Sequence, residues 1–281
     1  MAKTLKFLKW LGIGLAVLII LLLVAIYGIS QYHMSRSWSP EPVAPLAMAN
    51  ANPVEGKRLA AIYGCSGCHR ANLQGDPFIE DGMMAIVYAS NLTRKLEQYT
   101  EAEMTQAIRQ GMRPDGSGLV IMPSNAFAVL TDSEIADILA YAHTLPAGGE
   151  DYPTPKLGPI ARAFLAIGEF KTAPALAKAG EDMMPWFIDG QEEGRRLVFA
   201  ACSECHGSDL TGDPLAGSPD LSMAAAYELA DFSKLMRTGK GAGGRDLGLM
   251  SEVAKGRFAH FTEDEIAAIH AYLVARSEKV N

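Results

Sequence analysis

The sequence predicts an all-α fold: one N-terminal transmembrane helix followed by two tandem helical domains. Three observations predict it. The first is an apolar run from Trp10 to Ile29, with no Lys, Arg, Asp or Glu between Lys9 and Arg36. The second is a pair of matching stretches of about 95 residues, each closed by a capped segment with helical periodicity. The third is that neither stretch carries a convincing alternating strand pattern. The composition agrees. A chain of 281 residues suits two compact domains with connectors, and 49 % hydrophobic with 20 % charged residues excludes wholesale disorder.

The first element is the apolar run. About 20 such residues cross a bilayer core as a helix. Lys3, Lys6 and Lys9 precede it, which keeps the N-terminus cytoplasmic and puts the rest on the outer face. A cleaved signal peptide would have a shorter core, roughly 7–15 residues, with a small-x-small site close behind. Here that site, Ala47-Met48-Ala49, lies far downstream, so an uncleaved anchor over residues 1–36 is favoured. Both readings export the remainder, and in a bacterium they put it in the periplasm, with a single pass through the inner membrane. The net charge is −7; residues 1–36 carry +4, which leaves −11 for the exported part. Such an acidic surface argues against nucleic acid as a partner. Residues 37–53 follow, with Pro40, Pro42, Pro45 and Pro53, and read as a semi-extended tether.

The next elements are the two stretches, residues 54–145 and 188–281. All four cysteines fall in them, as Cys65-Ser66-Gly67-Cys68-His69 and Cys202-Ser203-Glu204-Cys205-His206. C-x-x-C-H is the attachment pattern of c-type haem. Two thiols one helical turn apart can add to the two vinyl groups on one haem edge, and the adjoining His can bind the iron. A thioredoxin-like pair would need a βαβ setting, which is missing, and a closed zinc site needs four ligands in one domain. Two covalently attached haems c are therefore expected.

The flanks of the two motifs also match. Glu55-Gly56-Lys57-Arg58-Leu59 and Glu193-Gly194-Arg195-Arg196-Leu197 open the units. Asn91-Leu92-Thr93 and Asp220-Leu221-Ser222 follow the motifs, then Ile108-Arg109-Gln110-Gly111 and Met236-Arg237-Thr238-Gly239. Thr131 with Glu134, and Thr262 with Glu265, form capping boxes before the closing helices. Between the units, residues 146–187 are proline-rich and read as a spacer or a docking surface, with one or two short helices between Pro159 and Gly180.

A second axial ligand decides what a haem protein does: Met or His makes an electron carrier, an open position makes a reaction site. The duplication selects among 13 methionines. Met122 lies 11 residues after Gly111, and Met250 lies 11 after Gly239. Met112 corresponds to Lys240, Met236 falls in a middle helix, Met83 and Met84 have no counterparts, and Met183 and Met184 precede the second motif, in the linker. The expected iron ligands are His69 with Met122 and His206 with Met250. His260 is the main rival for the second iron, while His143 and His270 read as surface or interface residues and His33 as juxtamembrane.

These residues resemble the class I cytochrome c family over residues 53–145 and 188–280. In that family the opening and closing helices cross through a glycine and an aromatic, which implies Gly56 with Tyr141 and Gly194 with Tyr272. The stretch from Asn91-Leu92-Thr93 through Gly111, Met122-Pro123 and Thr131-Asp132-Ser133-Glu134-Ile135 is similar to the cytochrome c subunits of membrane-bound bacterial alcohol, aldehyde and gluconate dehydrogenases. Those usually carry three haem motifs against two here. The expected function is a membrane-anchored periplasmic dihaem carrier with no catalytic residues of its own. It would pass single electrons from a quinol-oxidising complex or dehydrogenase to a terminal oxidase or soluble cytochrome. The alternatives are a dihaem peroxidase, or a cytochrome subunit of a membrane-bound dehydrogenase or respiratory complex.

Overall fold

The computed structural model describes residues 2–214 and 217–280; Met1 and Asn281, the ends of the outermost expected segments, lie outside the described residues. Helix α1 (Ala2–Ser35) carries the apolar run and is long and apolar enough to cross a membrane. The stretch after it lies along the first unit. Trp38 donates its N–H to the Gly116 carbonyl at 2.9 Å, and Glu41 and Gln110 exchange two hydrogen bonds at 2.9 and 2.8 Å.

The first unit opens with α2 (Pro53–Ile62), capped by the Asn52 side chain, and continues into the short α3 (Cys65–Cys68). Gly64, at φ 76°, sits between them in the left-handed region and breaks the helix. An antiparallel hairpin, β1 (Asp76–Asp81) and β2 (Ala85–Ala89), precedes α4 (Leu92–Gln98), α5 (Glu101–Gln110), α6 (Ser124–Phe127) and α7 (Asp132–His143). The connector adds β3 (Lys156–Leu157), α8 (Pro159–Ile167), α9 (Ala173–Lys178) and α10 (Gly180–Met183). The second unit holds α11 (Glu192–His206), α12 (Leu229–Thr238), α13 (Leu249–Gly256) and α14 (Glu263–Val280).

Among the described residues the chain is mostly helical, as expected, and departs from that expectation in the small sheet β1-β2-β3. Its alternation is hard to read in sequence. Strand β1 exposes Pro77, Phe78, Glu80 and Asp81, its pairing is irregular between Pro77 and Ile79, and β3 comes from the connector and is two residues long.

Both closing helices start as the sequence implied. Glu134 and Glu265 each donate a backbone N–H to the hydroxyl of Thr131 or Thr262 at 3.2 Å, and each carboxylate takes the threonine N–H at 2.7 Å. The opening and closing helices of each unit then cross at glycine. A Cβ on Gly56 would stand 1.8 Å from the Asp137 carbonyl oxygen, and one on Gly194 would stand 2.2 Å from that of Ala268. Asp137 and Ala268 occupy the same rung, six residues after the capping threonine. Only glycine allows backbone contact this close. Of the aromatics expected at these crossings, Tyr272 adjoins Gly194, with its Cβ 2.8 Å from that position, whereas at Gly56 the nearest atoms all belong to Asp137 and Ile138.

The two units share one core. Leu59, Ile62, Tyr63, Phe127 and Ile138 of the first belong to the same buried apolar cluster as Leu197, Val198, Phe258 and Ile269 of the second. Polar pairs repeat across this contact with two-fold logic. Arg58 of the first opening helix pairs with Glu265 of the second capping box at 2.7 Å; Arg196 of the second opening helix pairs with Glu134 of the first, also at 2.7 Å. Each arginine also holds the glutamate one turn before it in its own helix, Glu55 or Glu193. Tyr63 donates its hydroxyl to Glu134 at 2.6 Å, and burial together with that carboxylate pushes its pKa up.

Candidate haem sites

Each C-x-x-C turn follows an opening helix. In the first unit Gly64 breaks the helix just before Cys65; in the second, α11 runs unbroken through Cys202 and Cys205 to His206. The two histidines are then oriented alike. His69 Nδ1 lies 2.7 Å from the Ser90 carbonyl oxygen, and His206 Nδ1 lies 2.8 Å from that of Pro219. A carbonyl can only accept, so each Nδ1 carries the proton and each Nε2 keeps its lone pair for a metal. Burial also pushes the His69 pKa down, against the Ser90 hydrogen bond, which favours the neutral ligand form.

The carbonyls that orient these rings stand directly before Asn91-Leu92-Thr93 and Asp220-Leu221-Ser222, which gives those matched flanks a role. Leu92 donates its N–H to Leu73 at 2.8 Å and Leu221 to Leu210 at 3.0 Å; Gly75 and Gly212 donate to the His69 and His206 carbonyls at 3.0 and 2.9 Å. The signal was present in sequence as a repeated spacing, His69 to Leu73-Gln74-Gly75-Asp76-Pro77 and His206 to Leu210-Thr211-Gly212-Asp213-Pro214. The matched arginines likewise act as braces. Arg109 donates to the Leu130 carbonyl at 2.5 Å and pairs with Asp132; Arg237 donates to the Ala259 carbonyl at 2.6 Å and pairs with Glu263. Each ties the middle helix to the start of the closing helix.

In the first unit Cys65, Cys68, His69 and Met122 line one cavity of about 470 Å³. Its walls are apolar, with Leu73, Val87, Met104 and Leu139, while Lys95 and Arg113 supply cations in the lining. Two thiols, an imidazole and a thioether in an apolar cradle fit a covalently held haem, with the two cations suited to its carboxylates. In the second unit Cys202, Cys205 and His206 share α11, and Met250, in the first turn of α13, is partly buried against the shared core. Its neighbour Ser251 is buried and accepts the Leu247 N–H at 2.8 Å, which fixes this turn. His260 and His143 are exposed, and the His270 ring sits 2.8 Å from the Tyr227 carbonyl.

Burial pushes the Cys65 thiol up to about 11 and the Cys202 thiol up to about 12, with Arg257 pulling both partway back. Thioredoxin-like pairs depend on a depressed thiol pKa instead. Arg257 was missed in sequence because the first unit offers no counterpart to flag it. It donates Nε to the Ile62 carbonyl at 3.0 Å, where the break at Gly64 leaves the end of α2 open. A second arm reaches Glu204, inside the other attachment motif, at 3.3 Å. Arg257 and Glu204 also line the first unit's cavity.

This fold and donor set define a two-site protein for covalently bound haem. The chain matches the cytochrome c family over residues 53–146 and 191–277, well over half its length, and belongs to that family. It is 27 % identical over 270 residues to a fructose dehydrogenase cytochrome subunit of Gluconobacter japonicus, covering 85 % of this chain and 55 % of that one. It is 32 % identical over 95 residues to the cytochrome c subunit of an alcohol dehydrogenase (quinone) of Gluconobacter oxydans, covering 31 % of this chain and 20 % of that one. The chain thus spans about half or less of the length of these relatives. It is an electron-transfer cytochrome with two haems c.

Proposed function

We propose that the chain is the electron-transfer subunit of a membrane-associated dehydrogenase. It would accept single electrons from the dehydrogenase and pass them to a terminal oxidase or a soluble cytochrome, with both haem units on the periplasmic side. The observation that carries the relay is the meeting of the two attachment motifs at Arg257. One guanidinium binds the end of the helix before Cys65 and the glutamate between Cys202 and Cys205, and its charge acts on all four thiols. The cysteines would hold the two haems, and this contact ties the segment before the first pair to the residue between the second pair.

When bound, each haem supplies a one-electron iron couple. The chain's own residues keep that exchange simple. Ser90 and Pro219 fix the imidazole rings of His69 and His206, and Met122 and Met250 are the residues that would supply the second ligand to each haem. Thioether ligation by these two residues would raise the potential of that couple relative to two-histidine ligation. The shared core and the paired arginines hold the units at a fixed separation.

The test is purification from native membranes in mild detergent. Co-purification with a dehydrogenase whose sugar or alcohol substrate reduces both haems supports the subunit reading. A chain that purifies alone, and that turns over peroxide, supports the peroxidase alternative and overturns it.

A further inference from the structure

One apolar surface is not used by the haem sites. It lies on α8, where the connector meets the end of α1. Arg162 of α8 donates to Ser30 Oγ at 3.0 Å and to Gln31 Oε1 at 3.3 Å, and its guanidinium sits 4.6 Å from the centre of the Tyr27 ring. Met34 of α1 packs into a small apolar cluster with Leu157, Ala161, Leu165 and Phe170. Ser30 is fully buried by this contact, in contrast to the exposed side chains of the apolar run before it.

The helix is amphipathic. Ala161 and Leu165 face inward, while Ile160, Phe164 and Ile167 are exposed by 39, 44 and 68 % at i, i+4 and i+7 spacing. The hairpin turn extends this surface. Met83 and Met84 are exposed, and their carbonyls accept the N–H groups of Ile160 and Gly158 at 3.1 and 2.8 Å. Five large apolar side chains therefore cluster beside the end of the anchor.

The height of that cluster identifies its occupant. At about 1.5 Å per residue the run Trp10–Ile29 spans about 30 Å, the thickness of a bilayer core. Ser30 and Gln31 then stand at the headgroup boundary, and Arg162 fixes α8 there. Tyr27 and Tyr32 mark the same level, where amphipathic aromatic rings concentrate. A short helix with one apolar face held at this depth suits burial in the boundary between headgroups and acyl chains.

We propose that α8 and the Met83-Met84 turn form a second membrane contact, with Ile160, Phe164 and Ile167 inserted into the outer leaflet beside α1. This rests on α1 being a membrane anchor. The contact would hold the first unit against the bilayer instead of leaving it to swing from a single point. It would also orient the first haem site, because Val87 of β2 belongs both to the cluster under α8 and to the cavity lining.

The test uses the full, haem-loaded chain in phospholipid vesicles. Single cysteines replace Phe164, Ile167, Ile19 and Arg245, each carries a nitroxide, and collision rates with oxygen and a water-soluble nickel complex are compared. The native cysteines are blocked as thioethers. The proposal expects labels at 164 and 167 to collide mainly with oxygen, like the label at 19, and the label at 245 to collide mainly with nickel. Labels at 164 and 167 that behave like 245, while 19 stays in lipid, overturn the second contact and leave the anchor intact. A label at 19 that is accessible to nickel overturns both. Protection of 164 only on adding a protein partner assigns the face to that partner and overturns the lipid reading.

Discussion

The crossing of the opening and closing helices can be tested at one atom. In Gly56→Ala the new Cβ would stand 1.8 Å from the Asp137 carbonyl oxygen, 2.3 Å from its carbonyl carbon and 2.9 Å from the Ile138 nitrogen. All three are backbone atoms, so no side-chain rotation relieves the clash. Reaching ordinary contact at 3.4 Å from the present 1.8 Å requires α2 and α7 to part by about 1.6 Å, and a gap of even 0.5–1 Å forfeits a quarter to a half of the dispersion attraction across it. The interface loosened holds Leu59, Ile62, Ile135, Ile138 and Leu139, all buried. Overpacking of this kind costs about 1–3 kcal/mol, and the unyielding backbone sets it near the upper end. Because the units share one core, about 3 kcal/mol lowers Tm by roughly 6–12 °C for a cooperative body of this size. Circular dichroism melting of the haem-loaded protein in detergent measures it. Gly256→Ala, where a Cβ meets nothing within 4 Å, is the control. A Gly56→Ala protein that melts within about 2 °C of the parent refutes the crossing.

Three further outcomes follow from the contact between the units. Removing either bridging arginine, in Arg58→Ala or Arg196→Ala, leaves a half-buried glutamate short of its partner, and each should cost about 1–3 kcal/mol by denaturant unfolding. The contact should also weaken in acid. Burial raises the Glu265 pKa, but the Arg58 and Thr262 hydrogen bonds outweigh it and hold the group below the ordinary carboxylate value. Its stabilisation is thus fully present above about pH 4.5 and is lost as pH falls through the lower folded value, which pH-dependent melting in the parent and in Glu265→Gln would reveal. Finally, Arg257→Gln removes a cation that favours the reduced, more negative state of both sites. Both midpoint potentials should fall in a redox titration, by up to about 59 mV, a tenfold change for a one-electron couple; Glu204→Gln should raise them.

Much of this was legible because the chain states its pattern twice. The capping boxes at Thr131 and Thr262, the E-G-x-R-L openings and the paired attachment motifs each repeat, and the structure gives the repeats matching roles. What the sequence left hidden is what is not repeated. The hairpin belongs to the first unit and pairs with a two-residue strand from the connector. Arg257 acts across units from a place with no counterpart. At the first crossing the backbone of Asp137 makes the closest approach to Gly56, while Tyr141, one turn further along the same helix, donates its hydroxyl to the Ala71 carbonyl at 3.2 Å. That Arg58 and Arg196 would exchange partners could not be read from either unit alone, since each salt bridge joins residues far apart in the chain.

The central claim is that two closed, methionine-ligated haems relay electrons in one chain. The long-wavelength charge-transfer band of methionine-ligated ferric haem tests it most directly, measured in the parent, Met122→Ala and Met250→Ala. The account predicts that each substitution removes about half of the band, that the double variant abolishes it, and that both sites drop in potential when their methionine is lost. A band untouched by Met250→Ala, with peroxide turned over by the parent protein, would contradict it.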